Sequence, residues 1–241
     1  MSDTIPDDPP SADCPICLKP PALCVCAEVV PIANRVSLLI LQHPQEQDKT
    51  LGTARLLAHS LTDATLQVGL SWPSLTKALG RPADPLRWAV LYLGSAKAEP
   101  EREVTVLDGK GNAAADQDKQ LGRIDGVVIL DGTWSQAKAL WWRNPWVLKC
   151  KRVILGPRQP SRYGRVRTEP RKDSLSTIEA AALLLSRLEG KPEIEAKLGA
   201  TFQRMLERFR QARKDGTAGA APVRRSAPKR DWRSRGGKKV G

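Results

Sequence analysis

Histidine, phenylalanine, tyrosine and methionine each occur only twice in 241 residues. With His43 and His59 alone, a histidine-ligated metal hydrolase has too few ligands. The absence of any G-x-S-x-G element counts against a serine hydrolase. The phosphate cradles G-x-x-x-x-G-K-[ST] and G-x-G-x-x-G are missing as well; Asp108-Gly-Lys-Gly-Asn112 is a turn. No run approaches the ~18 apolar residues of a membrane span, which excludes an integral helical membrane protein. The first ten residues are acidic and proline-rich, with neither the basic start nor the apolar stretch of a signal peptide. A cytoplasmic protein is the expectation, with five cysteines that are thiols or metal ligands rather than disulfides.

What is present points to a globular body with a polyanionic partner. The apolar share of 41% suffices for a real core. The formal charge is +13, and ten Lys or Arg against two Asp fall between Arg213 and Gly241. For a cytoplasmic chain such an excess points first to nucleic acid; the plain alternative is a tail that only aids solubility.

Composition divides the chain into four parts. Residues 1–13 read as a disordered lead and 14–33 as a cysteine-bearing segment. Residues 34–212 form a periodic body, and 213–241 a disordered basic tail. In the body, apolar runs suited to strands lie at Arg35–Leu41, Ala64–Val68, Trp88–Leu93, Gly126–Leu130 and Arg152–Leu155. Helical spacing lies at 50–61, 133–142, 176–189 and 193–212. This alternation predicts an α/β fold, a mostly parallel sheet with helices on both faces. Such sheets bind ligands beyond the carboxyl ends of their strands, so the loops after Leu41, Leu93, Leu130 and Leu155 are the candidate site.

Cys14-Pro-Ile-Cys17 and Cys24-Val-Cys26 place four thiols within 13 residues. That set suits a closed tetrahedral Zn²⁺, hence a small zinc knuckle with a structural role. The alternative is four unrelated reduced thiols. Cys150 reads as a core filler.

Leu130-Asp-Gly-Thr-Trp-Ser-Gln136 carries most of the chemistry. A buried strand ends at Leu130, Gly132 permits a tight turn, and Thr133 with Gln136 matches a capping box. Asp131 therefore stands at a strand's carboxyl end beside a helix start. Ser176 and Glu179 repeat the pattern at Leu175-Ser-Thr-Ile-Glu179. Such starts favour an anion, though both are also ordinary caps. Trp134, Trp141, Trp142 and Trp146 crowd the same region, with Trp134 and Trp141 on one helix face and Lys138 between them. Core packing accounts for such a stripe, and base or adenine stacking is the sharper alternative.

Five short elements occur in order along residues 14 to 190. They are the Cys14/Cys17/Cys24/Cys26 cluster, the His43-Pro-Gln-Glu46 loop with Thr53 and Arg55, and Asp131-Gly-Thr-Trp134 with Gln136 and Ala137. Ser161-Arg-Tyr163 with Arg165 or Arg167 and Leu175-Ser-Thr-Ile-Glu-Ala180 complete the set. In this combination the sequence resembles the DTW-domain family, specifically its bacterial tRNA-uridine aminocarboxypropyltransferases. The resemblance implies a SPOUT-like knotted fold that binds S-adenosylmethionine at the sheet's carboxyl edge. It also implies transfer of the 3-amino-3-carboxypropyl group to N3 of a tRNA uridine, typically in the variable loop, with release of methylthioadenosine.

On that resemblance Asp131, Thr133 and Trp134 are the implied catalytic residues. Asp131 would act as base, fix its loop or bind the amino group of the donor, and Trp134 would wall the adenosine or anchor its helix. Leu93, Gly94, Leu130, Gly132, Leu175, Ser176 and Thr177 would line the S-adenosylmethionine site. The carboxylate of the donor would rest on the Ser176–Thr177 helix start or on a nearby arginine. Arg55, Arg162, Arg165 and Arg167 would meet RNA phosphates, and Cys14, Cys17, Cys24 and Cys26 would hold zinc. The partner is tRNA, with no membrane and no obligatory protein partner. A methyltransferase on the same fold and a non-catalytic zinc RNA-binding protein are the competing readings.

Overall fold

Two consecutive residues of a central strand face opposite layers, and this chain fills both layers with aliphatic side chains. The structure, a computed structural model, describes residues 13–92, 102–156, 161–162 and 175–216. Strand β1 (Ser37–Gln42) is buried along its whole length. Leu38 and Ile40 enter one core layer, Leu39 and Leu41 the other. Strand β5 (Gly126–Asp131) divides likewise, with Val127 and Ile129 against Val128 and Leu130. Strands apolar on both faces have helices above and below, which is why they pair in parallel here.

The remaining strands are β2 (Ala64–Val68), β3 (Trp88–Leu91), β4 (Val104–Leu107) and β6 (Lys151–Leu155). The sheet order is β2-β1-β5-β3-β6-β4. All pairs are parallel except β4 with β6, which is antiparallel at the edge. Gly126 opens β5 opposite Trp88 of β3 because a Cβ there would lie 2.5 Å from the indole.

One face carries α1 (Ala54–His59), α5 (Thr177–Glu189) and α6 (Pro192–Lys214), whose aliphatic residues and Phe202 share a core with β1 and β5. The other carries α2 (Leu75–Leu79), α4 (Trp134–Arg143) and the 3-10 turn Pro145–Lys149. Trp146 and Cys150 are buried there, and burial pushes the Cys150 thiol up to about 12, as befits a core residue. Helix α3 (Gln117–Leu121) adjoins β4, where the Gln117 amide bonds both the N–H and the carbonyl of Val106.

The expected elements form with shifted ends. β1 starts at Ser37 rather than Arg35, because the N–H groups of Arg35 and Val36 donate to Glu189 at 2.7 and 2.9 Å. α1 starts at Ala54 rather than Thr50, after backbone turns at Lys49 and Gly52. α6 runs to Lys214, two residues into the expected tail, and Ala212 is buried. β4, α2 and α3 come in addition to the expected elements; each has only four or five residues, too few for a periodic signal.

The cysteine segment packs on α6. Cys17, Val25 and Cys26 join the core that holds Phe202, Met205 and Leu206. Arg208 donates to the Cys24 carbonyl and to Glu28. Among the described residues no helix is long and apolar enough to cross a membrane.

Candidate active site and metal centre

Parallel pairing of β1 with β5 brings Gln42 beside Asp131 at the carboxyl edge of the sheet. Gln42 Nε2 donates to Asp131 Oδ2 at 2.8 Å, and Thr177 Oγ1 donates to Asp131 Oδ1. The Asp131 carbonyl accepts from His43 N at 3.0 Å. Both carboxylate oxygens are thus held by side chains from β1 and α5. Gln42 is 2% exposed, and its Oε1 is buried with no protein partner. This glutamine is not among the residues that the sequence alone singles out. Its signal was a polar residue ending the apolar run Ser37–Gln42, at a register that only sheet pairing reveals.

Gly132 lets the chain turn sharply into α4; a Cβ there would lie 2.8 Å from Gln136 Cβ. The Thr133–Gln136 capping box forms, with Gln136 Oε1 accepting from Thr133 N at 2.6 Å. Gln136 Nε2 also donates to Gln45 Oε1 at 3.1 Å and so ties α4 to the His43–Glu46 loop. In that loop His43 Nδ1 accepts from Gln45 N at 3.3 Å, and Lys49 pairs with buried Glu46 at 2.6 Å.

The second helix start is organised by Glu179. Its carboxylate accepts from Ser176 N and Oγ at 2.8 and 2.6 Å, and from Ser161 Oγ and Arg162 N at 2.7 Å each. Ile178 N donates to Thr53 Oγ1 and Glu179 N to Ser176 Oγ, both at 3.3 Å. These N–H groups are met from within the protein, while the Thr177 hydroxyl reaches Asp131. Leu175 is half-buried beside them.

Leu130 and Asp131 point to opposite faces of the sheet, as neighbours in a strand must. Leu130 belongs to the α4 layer, where a cavity of about 140 Å³ opens. Tyr92, Leu130, Ala137 and Trp141 line its buried or half-buried part; Trp134, Lys138 and Trp142 form an exposed rim. Tyr92 and Trp141 pack with ring centres 5.3 Å apart at 60°, and the Arg152 guanidinium carbon lies 5.6 Å from the Tyr92 centre. The tryptophan cluster therefore divides: Trp146 is core, Trp141 is half-buried, and Trp134 and Trp142 are 56% and 68% exposed.

The other sequence candidates fall in different places. Leu93, Gly94, Arg165 and Arg167 lie outside the described residues. Arg55 is half-buried on α1; its Nη2 is 3.4 Å from Gln47 Oε1, and its Nε is buried without a hydrogen-bond partner. Arg162 is exposed, with its guanidinium lying over Gly199 of α6, 3.0 Å from where a Cβ would stand.

The thiol sulfurs of Cys14, Cys17, Cys24 and Cys26 all lie within 4.8 Å of one another. This donor set fits a tetrahedral Zn²⁺, whose four Zn–S bonds of ~2.3 Å place sulfurs roughly 3.8 Å apart. Backbone N–H groups of Cys17 and Ile16 point at the Cys14 sulfur and hold that thiol down at about 7. Burial pushes Cys17 up to about 11 and Cys26 higher still. Lys19 is buried and bonds the Thr50 carbonyl at 2.7 Å; burial lowers it to about 8, against the pull of the neighbouring cysteines. A cation at the centre is the charge that would favour four thiolates in so buried a cluster.

The DTW domain profile matches residues 11–210. The chain is 31% identical over 199 residues to tRNA-uridine aminocarboxypropyltransferase 2 of Drosophila melanogaster, covering 79% of this chain and 73% of the fly protein. It is 30% identical to the proteins of that name from Macaca fascicularis and Mus musculus, over 195 and 182 residues. Those alignments take in 77% and 73% of this chain but only 59% and 56% of the two mammalian proteins. No solved structure matches the chain significantly. A profile match running from the cysteine segment to α6, with Asp131-Gly-Thr-Trp134 at the carboxyl edge of the sheet, places the chain in the DTW-domain family.

Proposed function

We propose that this protein is a tRNA-uridine aminocarboxypropyltransferase that uses S-adenosylmethionine as donor. The observation that carries the reading is likeness to enzymes of that name along 73–79% of the chain. The Asp131 carboxylate, fixed at the carboxyl edge of the sheet where α/β proteins bind ligands, supports it. So does the basic excess of +13, which suits an RNA substrate. The proposed compartment is the cytoplasm. A SPOUT-like knotted crossing belongs to the same reading and rests on the family resemblance.

The chemistry is a displacement at carbon. The sulfonium carries three carbons open to attack, and orientation selects the aminocarboxypropyl carbon over the methyl. The N3 lone pair of uridine forms the new C–N bond as the C–S bond breaks, and its electrons leave with sulfur as neutral methylthioadenosine. The N3 proton must go to a base, and Asp131 is the proposed acceptor. Gln42 and Thr177 set the direction of its carboxylate. Leu93, Gly94, Leu130, Gly132, Leu175, Ser176 and Thr177 would line the donor, and Trp134 would wall its adenosine. Thr133 would hold the turn. Arg55, Arg162, Arg165 and Arg167 would meet phosphates. Zn²⁺ on the four cysteines would be structural, because all four positions are filled.

The test is mass spectrometry of unmodified tRNA after incubation with the protein and S-adenosylmethionine. The expected outcome is a uridine heavier by one aminocarboxypropyl group, with methylthioadenosine released. A methyl-sized increment with S-adenosylhomocysteine would overturn the reaction while keeping the donor. An unchanged RNA would favour a binding protein.

A further inference from the structure

Helix α4 carries its tryptophans in an order that core packing does not need. Ala137 and Leu140 are the residues it buries. On the other side Trp134, Lys138 and Trp142 stand at i, i+4 and i+8, so they lie one above another on a single face. All three are exposed, as are Ser135 and Arg143 beside them. An indole 68% exposed at Trp142 leaves a large apolar surface in water, and such a residue on an exposed helix face marks a contact surface. The face starts three residues after Asp131. Eight residues of helix extend it about 12 Å, the length of three to four stacked nucleotides at ~3.4 Å each.

Charge narrows the partner. Asp131 is the last carboxylate before Glu169; the 37 residues between them hold nine Lys or Arg and no acid. Lys138 and Arg143 bring that bias onto the exposed face of α4 itself. Flat aromatic surface interleaved with fixed positive charge, without acids, is the chemistry of a single-stranded nucleic-acid platform: bases stack on the rings and phosphates pair with the cations.

We infer that the exposed face of α4 beyond Trp134, carrying Lys138, Trp142 and Arg143, is a docking ridge for unpaired nucleotides flanking the target uridine, with a base stacked on Trp142 and the backbone phosphate held by Lys138 and Arg143. This rests on the RNA-modifying reading above and adds to it a surface that sets RNA affinity separately from donor binding. Trp142 lies two helical turns from the Asp131 edge, so the ridge holds RNA that the reaction does not alter.

The experiment compares wild type, Trp142→Ala, Trp142→Phe and Lys138→Glu for three quantities: affinity for unmodified tRNA, affinity for S-adenosylmethionine, and steady-state kcat and KM. Trp142→Ala is expected to weaken tRNA binding about 5- to 150-fold, the range of one lost base stack. The loss should appear as a raised KM for tRNA with little change in kcat. Trp142→Phe should restore most of the affinity, because a phenyl ring still stacks. Lys138→Glu should weaken binding and reduce its salt dependence. Ultraviolet crosslinking of wild type to tRNA should map to the 134–143 peptide. Unchanged tRNA affinity in a folded Trp142→Ala, with wild type active on the same RNA, overturns the ridge alone. Loss of donor affinity instead would make Trp142 part of the donor wall and also overturn it. A wild type that neither binds nor modifies tRNA overturns the transferase reading and the ridge together.

Discussion

Gln42 and Asp131 end adjacent parallel strands in register, with Gln42 Nε2 2.8 Å from Asp131 Oδ2. The buried amide and the Thr177 hydroxyl leave the carboxylate no freedom to rotate without breaking a hydrogen bond. Replacing Asp131 with Asn should keep the fold and tRNA binding but remove the modified uridine. Replacing Gln42 with Leu should let the carboxylate turn, lowering kcat on the order of 100-fold with donor affinity retained. Single-turnover rates alongside donor titration check both; an unaltered rate in Gln42→Leu would detach the amide from the reaction.

The zinc assignment predicts about one metal per chain in the purified protein. Cys14→Ser with Cys17→Ser should abolish it. Cys17 and Cys26 share a core with α6, so metal loss should lower Tm of the whole protein by several degrees, as loss of a structural site does. Metal analysis and calorimetry before and after chelation test this. A preparation that never contains zinc overturns the assignment.

Two glycines distinguish packing from site geometry. Gly126→Ala pushes a methyl into the Trp88 indole at 2.5 Å, so it should cost about 3 kcal/mol, a Tm drop on the order of 10 °C. Gly132→Ala meets Gln136 at 2.8 Å beside Asp131, so it should disturb the turn and reduce activity more than stability. Thermal melts paired with rates separate the two; equal effects on both would contradict the placement.

Acid should loosen the molecule at a definite group. The Arg187 guanidinium holds Glu103 below the usual carboxylate range, joining the residue ahead of β4 to α5. A depressed folded value means that the ion pair stabilises above the unfolded value near pH ~4.3 and that this is lost as pH falls through the folded value. Both side chains are more than a third exposed, so the effect is about 0.5 kcal/mol. Glu103→Gln should lower stability slightly at pH 7 and reduce its fall below pH 4. Identical denaturation curves at both pH values would remove the pair from the account.

Removing residues 217–241 takes away eight Lys or Arg. The truncation spares α6, which ends at Lys214. Binding to tRNA should weaken and its dependence on salt should flatten, because each phosphate contact adds ~0.9 to the slope for duplex and ~0.7 for single strands. Donor affinity should not move. A truncated chain with the same salt slope would exclude the tail from RNA binding.

Features whose physics is local can be read from the chain without its fold. Short β-branched and aliphatic runs such as Ser37–Gln42 and Gly126–Asp131, alternating with helical patterns, point to strands covered on both faces, so a parallel sheet was legible. The spacing of four cysteines within 13 residues made a shared metal site legible. Thr133 with Gln136 and Ser176 with Glu179 capped their helices because a capping box spans three residues. Long-range packing set the rest. It set Gln42 against Asp131, brought Thr177 to the same carboxylate, and laid Arg162 over Gly199. It also added the short antiparallel β4 at the sheet edge. Each of these depends on which strand pairs with which and in what register. That choice is made by packing the whole core at once, and residues 89 or 46 apart in the chain carry no trace of it in their local pattern.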